Sequence, residues 1–218
     1  MAARPTTSTP LPSPGELLRT QELHSWSSNP NRLALKWVVE KLLRPFGPGI
    51  WQYLGPAGSL TPAPSLAQWV RVFLKTDEFI VTGPDQWNLL GLKTTFGSSE
   101  RDYPRINVYN QRRRGLFLFG EQKVMFHRRR FPTTPSREWF LVDLMEHGRE
   151  CGCDWDRGLD DDVWWALKRD RFSVDKLIEV AREFGTLRTR RRFDDLIGSL
   201  DGPARFIGGA TIRIAVPM

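Results

Sequence analysis

Apolar residues recur along this chain with two different periods, and the switches between them mark its elements. Spacings of three and four, the helical signature, run through several segments. Glu16 to Trp26 carries Leu17, Leu18 and Leu23, with Thr20 placed to cap a short helix ending near Ser25. Asn31 to Leu43 puts Leu35, Val38, Val39 and Leu42 on one predicted face, with Arg32, Lys36, Glu40 and Lys41 mainly elsewhere. Ser65 caps a segment whose Leu66, Trp69, Val70, Phe73 and Leu74 point inward. Ser136 caps another that runs to His147 through Trp139, Phe140, Val142, Leu144 and Met145, and further helices are predicted over Asp160–Lys168, Val174–Phe184 and Thr189–Ile197. Extended runs lie at Ile50–Tyr53, Phe79–Val81, Arg105–Tyr109, Gly115–Phe119, Gln122–His127 and, near the end, Ala210–Val216. Gly115–Phe119 is apolar on both faces and reads as the central strand of an antiparallel meander of about three strands.

Punctuation divides the chain. Residues 1–14 are mostly Pro, Ser, Thr and Ala and read as a leader without a core. Ser27-Ser28-Asn29-Pro30 is turn chemistry, and Pro45, Gly47 and Pro48 are read as the end of the helix before them. The run Gly55 to Pro64 is a linker around residues 57–64. It separates a small unit, 15–56, from a larger one, 65–218. In the small unit the order is helix, short turn, longer helix with basic residues at its start, then a strand. That is the second half of a winged helix-turn-helix, in which the second helix enters the major groove. The larger unit reads as an α+β domain with a short antiparallel sheet and a helical C-terminal half, so the fold class expected for the whole is α+β.

Charge adds a direction. A formal net charge of +7 and a sequence pI near 9.8 favour a polyanionic partner. Hydrophobic residues make up 40% of the chain and there are 9 Trp, enough for a folded core. Two cysteines at 151 and 153 supply no disulfide framework, which suits a reducing, cytoplasmic setting. No apolar run reaches the roughly 20 residues of a membrane span.

The segment Phe79-Ile80-Val81-Thr82-Gly83-Pro84-Asp85-Gln86-Trp87-Asn88-Leu89-Leu90-Gly91-Leu92 predicts a strand, a tight turn and a short helix with Trp87 and Leu90 buried. It resembles the central domain of AbiEi-type antitoxins of type IV toxin–antitoxin systems, which opens with a strand, a Thr-Gly turn and a helix ending in Leu-Gly-Leu. Gly49-Ile50-Trp51-Gln52-Tyr53-Leu54-Gly55-Pro56 is a looser match to the end of that family's winged helix. The resemblance is best over residues 65–150. It implies a DNA-binding antitoxin that represses its own operon at inverted repeats and antagonises a nucleotidyltransferase toxin encoded beside it. No cofactor and no enzymatic activity belong to that reading.

The residues expected to meet DNA follow from charge and position. Asn31, Arg32 and Lys36 occupy the first turns of the recognition helix, where Asn reads adenine and Arg or Lys reads guanine. Lys41 and Arg44 suit phosphate contacts. Arg112-Arg113-Arg114 sits on a hairpin tip and Arg128-Arg129-Arg130 follows a strand, each cluster fitted to bind phosphate with guanidinium forks. A third run, Arg188 and Arg190 to Arg192, opens a late helix. Two alternatives remain open. One is a basic protein-interaction or non-specific nucleic-acid-binding module. The other is a metal-dependent enzyme acting on nucleic acid through Asp154, Asp156 and Asp160 to Asp162. Cys151 and Cys153 with His147 lack the second ligand pair of a zinc site and are read as loop thiols.

Overall fold

The computed structural model describes residues 10–56, 61, 63–92, 105–151 and 158–200. The leader residues 1–9, linker residues 57–60 and 62, Cys153, Asp154, Asp156 and the strand expected at 210–216 lie outside them. The fold is mixed α+β. It divides into two compact units, 1–79 with 117–121, and 80–116 with 122–218. The division thus falls after Phe79, and the helix expected to open the larger unit belongs to the first.

The first unit begins with strand β1 (Leu17–Arg19), a 3-10 helix (Thr20–Ser25), helix α1 (Pro30–Val39), and strands β2 (Leu43–Gly47) and β3 (Ile50–Tyr53). Leu17 and Leu18 were expected in a helix. They are strand instead, because β3 offers them an antiparallel ladder, Leu17 opposite Gln52 and Leu18 opposite Trp51. The sheet order is β1-β3-β2, with the 3-10 helix and α1 between β1 and β2 and a β2–β3 hairpin after them; this is the order of the second half of a winged helix, and no helix precedes β1 among the described residues.

Helix α1 starts where Asn29 accepts the Arg32 backbone N–H at 3.0 Å, with Pro30 at the first helical position. It stops earlier than periodicity suggested. Lys41 adopts φ 58° and the Leu42 N–H reaches back to the Trp37 carbonyl at 2.8 Å, a C-terminal cap built without glycine. Pro45 and Gly47, read as helix stops, are strand residues of β2.

The buried face of α1 also differs from the expected one. Ala34 and Trp37 are buried, with Leu33 and Val38 packed beside them against Leu18, Leu23, Leu43 and Tyr53. Leu35 and Val39 are 65% and 83% exposed. Trp37 decides the orientation: its ring lies 5.9 Å from both Trp26 and Tyr53, and aromatic burial outweighs two aliphatic side chains.

Helix α2 (Leu66–Leu74), capped reciprocally by Ser65 and Gln68, completes this unit. It buries Trp69, Val70, Phe73 and Leu74. Trp69 stacks on Phe119 at 3.9 Å and Phe73 meets Phe119 edge-on at 5.2 Å. Phe119 lies so close to Gly47 that a Cβ there would overlap its ring.

The second unit holds β4 (Ile80–Thr82), α3 (Pro84–Asn88), β5 (Ile106–Asn110), β7 (Gln122–Arg128), α4 (Arg137–His147), α5 (Leu159–Lys168), α6 (Val174–Phe184) and α7 (Leu187–Gly198). A 3-10 turn, Arg149–Cys151, follows α4. Strand β6 (Gly115–Phe119) starts in this unit. The predicted strand, turn and short helix form as β4 and α3, with Trp87 and Leu90 buried, Leu89 exposed and Gly91 closing the turn at φ 67°.

The predicted meander does not form. The strand order is β4-β5-β7-β6, with β4 antiparallel and β7 parallel to β5. Strand β6 is therefore an edge and not the centre, and Leu116 and Leu118 are 53% and 58% exposed. Of its two apolar faces one, Phe117 and Phe119, packs in the first unit, and the other, Leu116 and Leu118, is exposed. Helix α4 runs through the middle of the helical half and is buried on nearly every side, among Trp87, Leu90, Val163, Leu167, Leu177, Phe193 and Leu196. No helix among the described residues is long and apolar enough to cross a membrane.

Candidate nucleic-acid interface and a buried polar cluster

In the first unit, Asn31, Arg32, Lys36, Lys41 and Arg44 are all exposed. Arg32, Leu35, Lys36 and Val39 stand at offsets of three, four and seven, so they share one outward face of α1. Lys36 has Glu40 one turn on, 3.7 Å away and well exposed on both sides, a contact that water screens strongly. Arg44 donates across the ladder to the buried Gln52 side chain opposite it on β3. From Asn31 to Arg44 the chain carries four cations, Arg32, Lys36, Lys41 and Arg44, against one carboxylate, Glu40.

In the second unit, the parallel pairing of β5 and β7 settles where the arginines go. Asn110 lies opposite Arg128, and both strands leave the sheet at the same end. Arg112 to Arg114 and Arg128 to Arg130 therefore emerge at the same end, from neighbouring strands. Asn110 builds the turn. It is fully buried, its Oδ1 accepts the backbone N–H of Arg112 at 2.8 Å and of Arg113 at 2.6 Å, and its Nδ2 donates to the Arg113 carbonyl at 3.1 Å. Arg112, Arg113, Arg114, Arg128 and Arg130 are exposed.

Arg129 is the exception. It forms an ion pair with Glu146 at 2.7 Å, donates to the Phe184 carbonyl and lies over the Tyr109 ring. Its guanidinium is committed inside the fold and leaves the set of phosphate contacts. The late cluster is also partly structural. Arg192 pairs with Asp160 at 2.5 Å, and Arg190 donates to the carbonyls of Ala181 and Gly185 at the end of α6. That pairing ties up Asp160 of the acidic run. Among the described residues no group of three or more His, Cys, Asp or Glu side chains is arranged to hold a metal ion.

Between the sheet and α4 lies a polar cluster that sequence reading did not find. Asn107 and Tyr109 alternate onto one face of β5, and His127 sits opposite Tyr109 on β7, the two rings stacked at 5.0 Å. Helix α4 presents Asp143 and, one turn later, His147 to this face. Asp143 accepts from the Trp87 indole N–H at 2.9 Å and from the hydroxyls of Thr82 and Tyr109. Burial raises its carboxyl to about 6 against the opposing pull of those three donors, and it drives the Tyr109 phenol well above 10. His127 and His147 lie 4.4 Å apart. Burial first, then neighbouring cations, lower them to about 3 and about 4, so both are neutral at physiological pH.

Cys151, Asn107 and His127 superficially resemble a nucleophile with its base. Asn107 Nδ2 reaches Cys151 Sγ at 3.5 Å and its Oδ1 meets His127 Nε2 at 3.0 Å. The electrostatics run the other way. Burial pushes the thiol up to about 11, while the imidazole is held neutral. A thiolate–imidazolium pair needs the opposite shifts, so this trio is packing chemistry. The sequence signal for the cluster was Asp143 itself, a lone carboxylate within the apolar run from Trp139 to Met145.

No model of a protein family, no curated protein and no solved structure matches this chain.

Proposed function

We propose that the protein binds duplex DNA, with α1 in the major groove and the β2–β3 wing along the backbone, as the repressor of its own operon. The observation that carries this reading is the outward face of α1, with Arg32 and Lys36 exposed on the helix that precedes a wing. Asn31 and Arg32 sit on its first turn, where base edges come within reach, and Lys41 and Arg44 flank it as phosphate contacts. The arginines at the end of the second unit's sheet add sequence-independent attraction. The resemblance of residues 79–92 to AbiEi-type antitoxins extends the reading to antagonism of a nucleotidyltransferase toxin. Coexpression of such a toxin from the neighbouring gene, with growth as the readout, tests that part.

The DNA reading is tested by gel-shift titration on the upstream region of its own gene against a scrambled duplex, at about 150 mM salt, where phosphate-only binding is suppressed. The native duplex is expected to bind at least about a hundredfold more tightly. Arg32→Ala or Lys36→Ala should each cost about tenfold on the native duplex and little on the scrambled one, since a base contact is lost. The cap at Asn29 survives the first change, because it holds only the Arg32 backbone N–H. Equal affinity for both duplexes would reject sequence reading.

Replacing Arg112, Arg113 and Arg114 together by alanine should behave differently. Affinity for both duplexes falls by the same factor, and the slope of log affinity against log salt becomes shallower by about 2 to 3. A slope change below about 1 would remove this turn from the interface.

A further inference from the structure

Leu35 and Val39 are large apolar side chains, one helical turn apart, and among the most exposed in the described structure. They alternate with Arg32 and Lys36 on the outer face of α1, so any partner that meets those cations also meets these methyl groups. A purely electrostatic surface has no use for them, and an aqueous helix face would be better served by polar residues. The major groove of a duplex offers the matching combination. It carries phosphates on its rims, acceptor atoms on guanine and adenine, and the C5-methyl of thymine as its one apolar group. The four cations against one carboxylate between Asn31 and Arg44 supply the charge complementarity.

We propose that Leu35 and Val39 are specificity-determining residues that read thymine C5-methyl groups, so that the protein's binding site holds thymines opposite the middle and last turns of α1. This rests on the DNA-reading function proposed above and adds to it the base that the apolar positions select. Arg32, four residues before Lys36, brackets Leu35, which fixes the order of contacts along the groove: cation, methyl, cation, methyl. A duplex with uracil at those positions keeps every phosphate and the O4 acceptor and loses only the methyl.

The test uses the full chain and a pool of random duplexes, from which bound sequences are selected at about 150 mM salt. Each thymine of the selected site is then replaced singly by uracil, which removes the methyl and leaves the Watson–Crick pair. At one or two positions uracil should weaken binding by about three- to fivefold, the size expected for one buried methyl. With Leu35→Ala or Val39→Ala the thymine-to-uracil ratio at one of those positions should fall to near one. Alanine is a better helix former than either residue, so α1 is retained, which the thermal melting point checks. Equal binding of thymine and uracil duplexes at every position overturns the methyl contact while leaving base reading by Arg32 and Lys36 intact. Selection that yields no site preferred over a scrambled duplex overturns both. If Leu35→Ala and Val39→Ala leave the uracil ratios unchanged and instead convert a dimer to a monomer in sedimentation, the face holds a second copy of the chain, and the proposal falls.

Discussion

Asp143→Ala should cost about 3 to 5 kcal/mol of stability, the largest loss expected from any single polar substitution in this chain. The carboxylate is 2% exposed and holds three donors, from β4, α3 and β5. Removing it strands the Trp87 indole N–H, which is fixed to a buried ring and cannot turn elsewhere. The hydroxyls of Thr82 and Tyr109 can rotate toward other acceptors, whereas the indole cannot. A buried donor left unsatisfied costs about 1 to 3 kcal/mol, which sets the scale. Asp143→Asn keeps one acceptor and the shape while removing a charge that burial already opposes, so it should cost only about 1 to 2 kcal/mol. Urea unfolding of both variants, followed by Trp fluorescence, separates the cases. A loss below about 1 kcal/mol for Asp143→Ala would mean that β4, α3 and α4 are joined by apolar packing alone.

That cluster also shows what the sequence made legible. The stretch from Phe79 to Leu92 stood out as a signature, and it folds as expected, because its instructions are local: β-branched residues, a proline at the first helical position and a glycine after the last. What the signature is for was not legible. Thr82 and Trp87 face a carboxylate more than fifty residues further along, and no local pattern announces that meeting. The same distinction explains the errors. Leu17 and Leu18 have helical spacing, yet they join a sheet because β3 lies beside them. Leu35 and Val39 have the spacing of a buried stripe, but Trp37 and Ala34 win the core, and periodicity cannot tell two adjacent apolar stripes apart. Strand β6 is apolar on both faces, yet only Phe117 and Phe119 are packed while Leu116 and Leu118 are exposed, so counting apolar residues placed it in the centre of the sheet.

The arginines give the clearest gain from structure over sequence. Six residues in two runs look equivalent in a string. Parallel pairing of β5 with β7 gathers both runs at one end, while the ladder directs Arg129 inward to Glu146 and leaves the others outside. Net charge predicted a polyanion partner without being able to say which cations would face it.

Acidification should destabilise the protein between pH 6.5 and 4, and the two buried histidines should account for most of the effect. The groups facing them are each other, Tyr109, Arg105, Arg129, Glu146 and Glu150. Each imidazole is lowered from 6.5, to about 3 for His127 and about 4 for His147. A group lowered in this way binds fewer protons when folded than unfolded. Its contribution is therefore complete above pH 6.5 and is lost as pH falls toward the folded value. Asp143 acts oppositely. Its carboxyl is raised from 3.8 to about 6, so the folded state takes up a proton first and gains stability as pH falls through that value. Each tenfold difference in proton affinity between the folded and unfolded states is worth about 1.4 kcal/mol. At about pH 5 the two histidines together cost about 4 kcal/mol, Asp143 returns about 1, and the net loss is on the order of 2 to 3 kcal/mol. His147→Phe keeps an aromatic ring between β7 and α4 and removes one proton site, so its melting temperature should fall only about a third as steeply from about pH 7 to about pH 5. His127 offers a poorer test, because its Nε2 is bonded to Asn107 at 3.0 Å and phenylalanine would strand that amide. Parallel pH profiles for the parent and His147→Phe would show that His147 titrates in the folded protein near its ordinary value, and that the cluster is open to water.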